Sequence, residues 1–138
     1  MKKIATSLLV ALLMTAGLLT VTATSAQAVC TRYAGCVDTR TLASGPKVVA
    51  KNRRPTVCGQ ATSVGSTIKP FGSLRFTVTR NRGKYKFSKT VPYYGGKTCV
   101  RTRKVKKTGG YTLHVAFVPR NGSLFNSSSD SDGFDVVR

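Results

Sequence analysis

The stretch Gly110-Tyr-Thr-Leu-His-Val-Ala-Phe-Val118 alternates large apolar side chains with smaller or polar ones. The large ones, which share one parity, are Tyr111, Leu113, Val115 and Phe117. A repeat of two residues is the pattern of a β-strand with one buried face. Pro119 ends the run because it has no N–H to donate to a neighbouring strand. The stretch therefore predicts a central strand against which the rest of the domain packs.

Six further short runs have strand character and are separated by turns rich in glycine, proline or asparagine. They are residues 47–50, 55–61, 73–79, 84–91, 98–105 and 133–137. No stretch of ten or more residues after the first 28 has the apolar spacing of a helix. About seven short strands predict an all-β protein with the architecture of an immunoglobulin-like β-sandwich. The side chains predicted to point inward are Val48, Leu74, Phe76, Val78, Tyr85, Phe87, Leu113, Val115, Phe117, Phe134 and Val136.

Segment 98–105 fits simple alternation poorly. Cys99 and Val105 share a parity with two arginines, so a regular strand would point those arginines inward. A β-bulge or a mostly exposed edge strand would each resolve the conflict. The sequence leaves this choice open.

Residues 1–28 have the form of an export signal. A short basic start, Lys2-Lys3, precedes an apolar run from Ile4 to Ala23, and Ala26-Gln-Ala28 resembles a cleavage site. An uncleaved anchor is the alternative, because about 20 apolar residues can just span a bilayer. Cleavage predicts a secreted chain without a transmembrane segment. That chain divides into a Cys-bearing extension, residues 29–46, and the sandwich, residues 47–138.

Four cysteines in a small exported domain favour two disulfides over a metal site. Cys30 and Cys36 are close enough in sequence to close a small loop. Cys58 and Cys99 would close a loop of about 40 residues, which the chain-entropy estimate values at about 3–4 kcal/mol. Four cysteines allow three connectivities, so the pairing stays open at this point.

The charge is strongly positive. The chain has a formal net charge of +19, and removal of Lys2 and Lys3 with the signal leaves +17. Such a surface attracts polyanions in a salt-dependent way, although the same charge also suits a generic solvated surface. An exported protein meets anionic cell-wall polymers or polysaccharides before nucleic acid, so nucleic acid is disfavoured as a partner. The candidate anionic-ligand face comprises Arg75, Lys84, Lys86, Arg101, Arg103, Lys104, Lys106 and Lys107.

The sequence predicts no catalytic site, cofactor or metal. His114 is the single histidine, and no Gly-x-Ser-x-Gly nucleophile motif is present. Asp130-Ser-Asp-Gly133 resembles the opening of a calcium loop but lacks the third acidic position and the distal glutamate. We therefore expect a protein that is not an enzyme.

The C-terminal half resembles bacterial immunoglobulin-like repeat domains of secreted actinobacterial proteins. The matching motifs are Gly72-Ser-Leu-Arg-Phe-Thr-Val78, Gly109-Gly-Tyr-Thr-Leu-His-Val-Ala-Phe117, Phe125-Asn-Ser-Ser-Ser129 and Phe134-Asp-Val-Val137. The resemblance implies that Tyr111 is a tyrosine corner, whose hydroxyl bonds to nearby backbone. It also implies a non-catalytic binding module.

The functional expectation is a secreted, basic binding module that associates with anionic polymers of the cell envelope. The alternative is a secreted inhibitor or toxin-like protein that binds a protein target through a rigid loop. A proline beside two aromatic residues is a plausible anchor for such a contact. The candidate loop residues are Pro92, Tyr93 and Tyr94.

Overall fold

The computed structural model describes residues 35–138, in which every regular element is a β-strand. The eight strands are β1 Thr39–Ser44, β2 Val48–Ala50, β3 Thr56–Ser63, β4 Gly72–Arg80, β5 Lys86–Tyr93, β6 Thr98–Arg101, β7 Gly109–Pro119 and β8 Ser128–Val137. The all-β prediction is confirmed, with eight strands instead of about seven. The described chain contains no helix of the length and hydropathy needed to cross a bilayer. The predicted export signal lies outside the described residues.

The strands form two sheets that pack face to face. One sheet has the order β1-β3-β6, and the other has the order β2-β8-β7-β4-β5. The pairs are antiparallel except β2 with β8, which are parallel. The chain passes from the first sheet to the second between β1 and β2, through Gly45, Pro46 and Lys47. This arrangement is consistent with an immunoglobulin-like sandwich.

Strand β7 lies inside the larger sheet, between β4 and β8. Leu113, Val115 and Phe117 have no solvent exposure, whereas His114 is exposed. The period-two prediction for this strand is therefore confirmed. The buried side chains of β7 pack with those of β3 and β4 to form the core between the sheets.

One predicted core position is wrong. Val48 is 61% exposed, and its neighbour Val49 is buried. Strand β2 has only three residues, and the valine pair offers an apolar side chain on either parity. The register Val49 with Val136 in β8 sets which valine faces the core. A short run without a polar position does not specify its own face.

The first strand and the first half of the last strand were not predicted. Strand β1 falls in the segment assigned to the extension, and β8 begins in a segment assigned to a loop. Their facing side chains are polar. The Thr41 hydroxyl lies 2.7 Å from that of Ser128, and the Ala43 N–H donates to Asp130 Oδ2 at 2.8 Å. These bonds join the two sheets along one flank, where sequence hydrophobicity gives no signal.

The Cys58–Cys99 disulfide is present and joins two neighbouring strands of the same sheet. The two cysteines are directly opposite each other in the β3–β6 register. Cys99 is exposed, so the bridge lies toward the outer face of the sheet and not between the two sheets. Cys36 is also disulfide-bonded. Cys30 lies outside the described residues, so its pairing with Cys36 stays a prediction.

Segment 98–105 follows the edge-strand alternative. Strand β6 lies at the edge of its sheet and ends at Arg101. Val100 and Thr102 are buried, so the arginines on either side of Thr102 face solvent. The chain leaves the ladder after Arg101, which allows Val105 to return to the core.

Candidate anion-binding cleft

A cleft opens where both sheets end on the same flank. Strand β5 is the edge of the larger sheet, and β6 is the edge of the smaller one. Between them lies a cavity of about 540 Å³. Its basic lining residues are Arg54, Lys84, Lys86, Arg101, Arg103, Lys104, Lys106 and Lys107. No acidic side chain of the described residues lines this cationic cleft.

The cleft brings together most of the predicted anionic-ligand face. Every member of that face except Arg75 lines it. Arg75 lies on β4 opposite Thr90 and Ala116, on the outer face of the larger sheet. Arg54 was not predicted, because it lies in a turn whose position depends on contacts distant in sequence.

The segment 102–108, here called the arch, carries four of the basic residues. Two tyrosine hydroxyls from the larger sheet bind its backbone. Tyr85 donates to the carbonyl oxygen of Arg103 at 3.2 Å, and Tyr111 donates to that of Lys107 at 2.9 Å. The second bond is the predicted tyrosine corner, which is confirmed. The arch is held near both ends.

The middle of the arch is held by the turn that follows β2. Val105 is completely buried, and its N–H donates to the carbonyl of Arg53 at 2.9 Å. Its own carbonyl accepts the N–H of Asn52 at 2.8 Å. Asn52 has a φ of 65°, which fits the tight turn after β2. This pairing brings the turn that contains Arg54 against the arch.

The wall of the cleft on the side of the larger sheet is aromatic. The rings of Tyr85 and Tyr111 meet edge to face at 5.3 Å, and Tyr111 stacks on Phe134 at 5.4 Å. Burial raises the pKa of Tyr85 above its ordinary value, more strongly than the Thr102 hydrogen bond lowers it. The Tyr85 hydroxyl therefore remains protonated at neutral pH and able to donate to the arch.

The acidic residues of the chain lie elsewhere. Asp38 immediately precedes β1, and Asp130, Asp132 and Asp135 lie on β8. None of these four residues lines the cleft. The basic side chains that line the cleft therefore have no carboxylate among them, which favours a positive potential there.

The residues considered for metal binding and catalysis have structural contacts. Asp130 accepts the Ala43 N–H, and Asp132 Oδ2 accepts the Gly45 N–H at 2.9 Å. The exposed His114 has Nδ1 at 3.0 Å from the Ser131 hydroxyl. Within residues 35–138 no three histidine, cysteine or acidic side chains gather in a group that could hold a metal ion.

The predicted protein-contact loop is wrong at its central residue. Tyr93 is 1% exposed, and its hydroxyl accepts the Ala61 N–H at 2.9 Å and donates to the Ala61 carbonyl at 2.8 Å. Pro92 and Tyr93 belong to strand β5, in which Tyr93 shares the parity of the buried Phe87. Pro92 is exposed, and Tyr94, just after the strand, is 81% exposed.

Comparison with known proteins gives no family assignment. No protein-family profile matches the chain, and no curated protein matches it. One solved structure that is similar is the CARDB domain of a protein from Pyrococcus furiosus, crystallised in complex with di-metal ions. The two chains are 14% identical, and the TM-score is 0.43. The match covers 74% of this chain and 90% of the other.

Proposed function

We propose that this protein is a secreted, non-catalytic binding module whose cationic cleft holds an anionic polymer of the cell envelope. The observation that carries the proposal is the convergence of basic side chains from three parts of the chain on one cavity without a carboxylate. Secretion is supported by the form of residues 1–28 and by the Cys58–Cys99 disulfide, since disulfides persist in oxidising compartments.

The position of the basic side chains on both walls of the cleft supports a linear ligand. The cleft lies between two sheet edges, so its walls are strands and the arch. A chain with repeated negative groups can lie along such an opening and contact lysines on both sides. Exposed charges are screened within about 10 Å at 0.1 M salt, so the binding should weaken steeply as salt is added.

The test is sedimentation of the protein with purified bacterial cell walls across a salt series. We expect the wild-type protein to bind at low salt and to be released as the salt concentration rises. Replacing Lys84, Lys86 and Lys104 with glutamine should shift release to a clearly lower salt concentration, because the cleft then attracts anions less.

The matched control removes the same charge elsewhere. Arg40, Lys51 and Arg120 are exposed and do not line the cleft. Their glutamine variant should be released at a salt concentration close to that of the wild type. Retention that salt does not affect, or equal loss in both triple variants, would refute binding at the cleft.

The inhibitor alternative now depends on Tyr94, because Tyr93 is in the core. Tyr94→Ala should leave wall binding unchanged. Loss of wall binding in this variant, with the fold intact, would instead indicate a contact through the end of β5.

A further inference from the structure

We infer that the cleft selects the phosphate groups of its polymer, and that Arg54, Arg101 and Arg103 make this selection. The inference rests on the binding function proposed above and adds the chemical class of the ligand. The partner is then an envelope polymer with repeated phosphate groups, and not one whose charges are carboxylates.

The three arginines surround one backbone hydrogen bond. The N–H of Thr102 donates to the carbonyl of Pro55 at 2.9 Å. Arg54 immediately precedes Pro55, and Arg101 and Arg103 are the neighbours of Thr102. Their backbones are therefore held together although they come from different segments.

Hydrogen bonds and burial hold the backbone near the three arginines in place. Thr102 is 4% exposed, and the Tyr85 hydroxyl binds the carbonyl of Arg103. The pairing of Val105 with Arg53 holds the turn on the other side. A ligand that binds here needs to order only the arginine side chains, and this lowers the entropic cost of binding.

The three guanidinium groups are free to accept a ligand. All three side chains are exposed. In the part of the chain that the structure describes, the salt bridge present joins Lys47 to Asp132, neither of which lines the cleft. The arginines of the cleft therefore have no carboxylate to displace.

Guanidinium chemistry favours phosphate here. A guanidinium presents planar pairs of N–H donors that match two oxygens of one anion, whereas a lysine acts as a point charge. A planar carboxylate is satisfied by one such fork. A phosphate presents oxygens in tetrahedral directions, so guanidinium groups that approach from different segments can bind it together. The five lysines of the cleft add attraction that does not distinguish the two anions.

The experiment uses isothermal titration calorimetry of the purified protein with two small probes, inorganic tripolyphosphate and the tricarboxylate tricarballylate, at matched ionic strength and neutral pH. The variant R54K/R101K/R103K keeps every charge and removes the planar forks. We expect its affinity for tripolyphosphate to fall about tenfold or more, the equivalent of one charged hydrogen bond. Its affinity for tricarballylate should fall clearly less, because each carboxylate uses one fork, whereas a phosphate uses guanidinium groups from different segments together.

The matched control is R40K/R120K/R138K, whose arginines are exposed and outside the cleft. It should bind both probes as the wild type does. Should the triple cleft variant melt at a lower temperature than the wild type, the single variants R54K and R101K, which leave the arch unchanged, give the same comparison.

Equal effects on the two probes, or no effect on either, would overturn the selection of phosphate. Binding of the triple cleft variant to cell walls at low salt would then still support the proposed function. Failure of the wild-type protein to bind cell walls at low salt would refute the proposed function itself, whatever the small probes show.

Discussion

At the scale of single residues, tyrosine hydroxyls connect parts of the chain that the ladders do not. Tyr85, Tyr93 and Tyr111 each donate to a backbone carbonyl oxygen in another segment. Such bonds leave the aromatic ring to pack against the core while the hydroxyl satisfies a backbone carbonyl, which is fully buried in the case of Tyr93. Removing only the oxygen therefore separates the hydrogen bond from the packing.

Tyr93→Phe should lower the free energy of unfolding by about 1–3 kcal/mol, because the N–H and the carbonyl of Ala61 both lose their bond to the hydroxyl. Denaturant unfolding measures the change. Tripolyphosphate affinity should be unaffected, since Tyr93 does not line the cleft. The control Tyr94→Phe, at an exposed side chain, should stay within about 0.5 kcal/mol of the wild type.

Tyr111→Phe should affect both stability and binding. Loss of the bond to Lys107 should cost about 1 kcal/mol of unfolding free energy, and the ring contacts should remain. Because the arch loses one of its attachments, the affinity for tripolyphosphate should fall as well. An unchanged affinity, measured by calorimetry, would show that the arch does not need this attachment.

The contacts of the Asp132 carboxyl predict how the stability of the fold depends on pH in the acid range. The Gly45 N–H, more than the neighbouring Lys47, lowers the pKa of this carboxyl below its ordinary value of 3.8, although partial burial opposes the shift. A carboxyl group with a lowered pKa stabilises the fold when it is ionised. This stabilisation is complete above pH 3.8 and is lost as the pH falls through the pKa of the folded state.

Asp132→Asn should therefore be less stable than the wild type by about 1 kcal/mol at neutral pH. The difference should shrink as the pH falls below 3.8, because the wild-type carboxyl is then protonated too. Thermal unfolding at a series of pH values measures both proteins. A difference that stays constant down to pH 2 would contradict the role of the ionised carboxylate.

At the scale of strands, the disulfide secures the strand that leads into the arch. Strand β6 has four residues, and among the described strands it pairs with β3 alone. The bridge between Cys58 and Cys99 closes a loop of 41 residues. Replacing both cysteines with alanine should lower the free energy of unfolding by about 3–4 kcal/mol on the chain-entropy estimate.

Denaturant unfolding of C58A/C99A measures this loss. The comparison is the wild type under the same non-reducing conditions, so that the disulfide of Cys36 stays intact in both proteins. If the double variant were as stable as the wild type, the ladder between β3 and β6 alone would be sufficient to hold the strand.

The strands that the sequence predicts are those with an apolar face. Leu113, Val115 and Phe117 alternate with small or polar residues, so β7 and its direction of burial were predictable. Strand β1 was not, because its inward positions are Thr41 and Ala43. The polar side chains of β8 that satisfy β1 lie more than 80 residues away. The sequence of either strand alone gives no sign that one of its faces is buried, because its polar inward side chains are satisfied by the other strand.

The sequence was sufficient to predict most of the residues that line the cleft, but not the shape of the cleft. Alternation places Lys84 and Lys86 outward, and the exposed edge strand does the same for Arg101 and Arg103. Their convergence depends on the two sheet edges lying on the same flank, which composition cannot show. Arg54 joins them through backbone bonds of its turn to Val105. Tyr93 was misassigned because a proline and a glycine pair beside it suggested a loop.

At the scale of the whole molecule, β5 is an edge strand of the larger sheet within the described residues 35–138. Lys86 and Lys89 are exposed on it, and Pro92 lacks an N–H. Such residues prevent the edge from pairing with a second copy. The variant K86T/K89T should therefore self-associate more than the wild type, as measured by analytical ultracentrifugation at equal protein concentration. The control K51T/K69T removes two exposed lysines outside β5 and should self-associate no more than the wild type does.

The distribution of charge over the sandwich has a consequence for how the protein would approach the polymer proposed as its ligand. Each of the four aspartates of the chain lies on or beside β1 and β8, and none of them lines the cleft. The cleft is therefore a region of concentrated positive charge. If the ligand is the anionic polymer proposed above, its field should turn the mouth of the cleft toward it before first contact, so that a larger share of collisions occurs in the productive orientation.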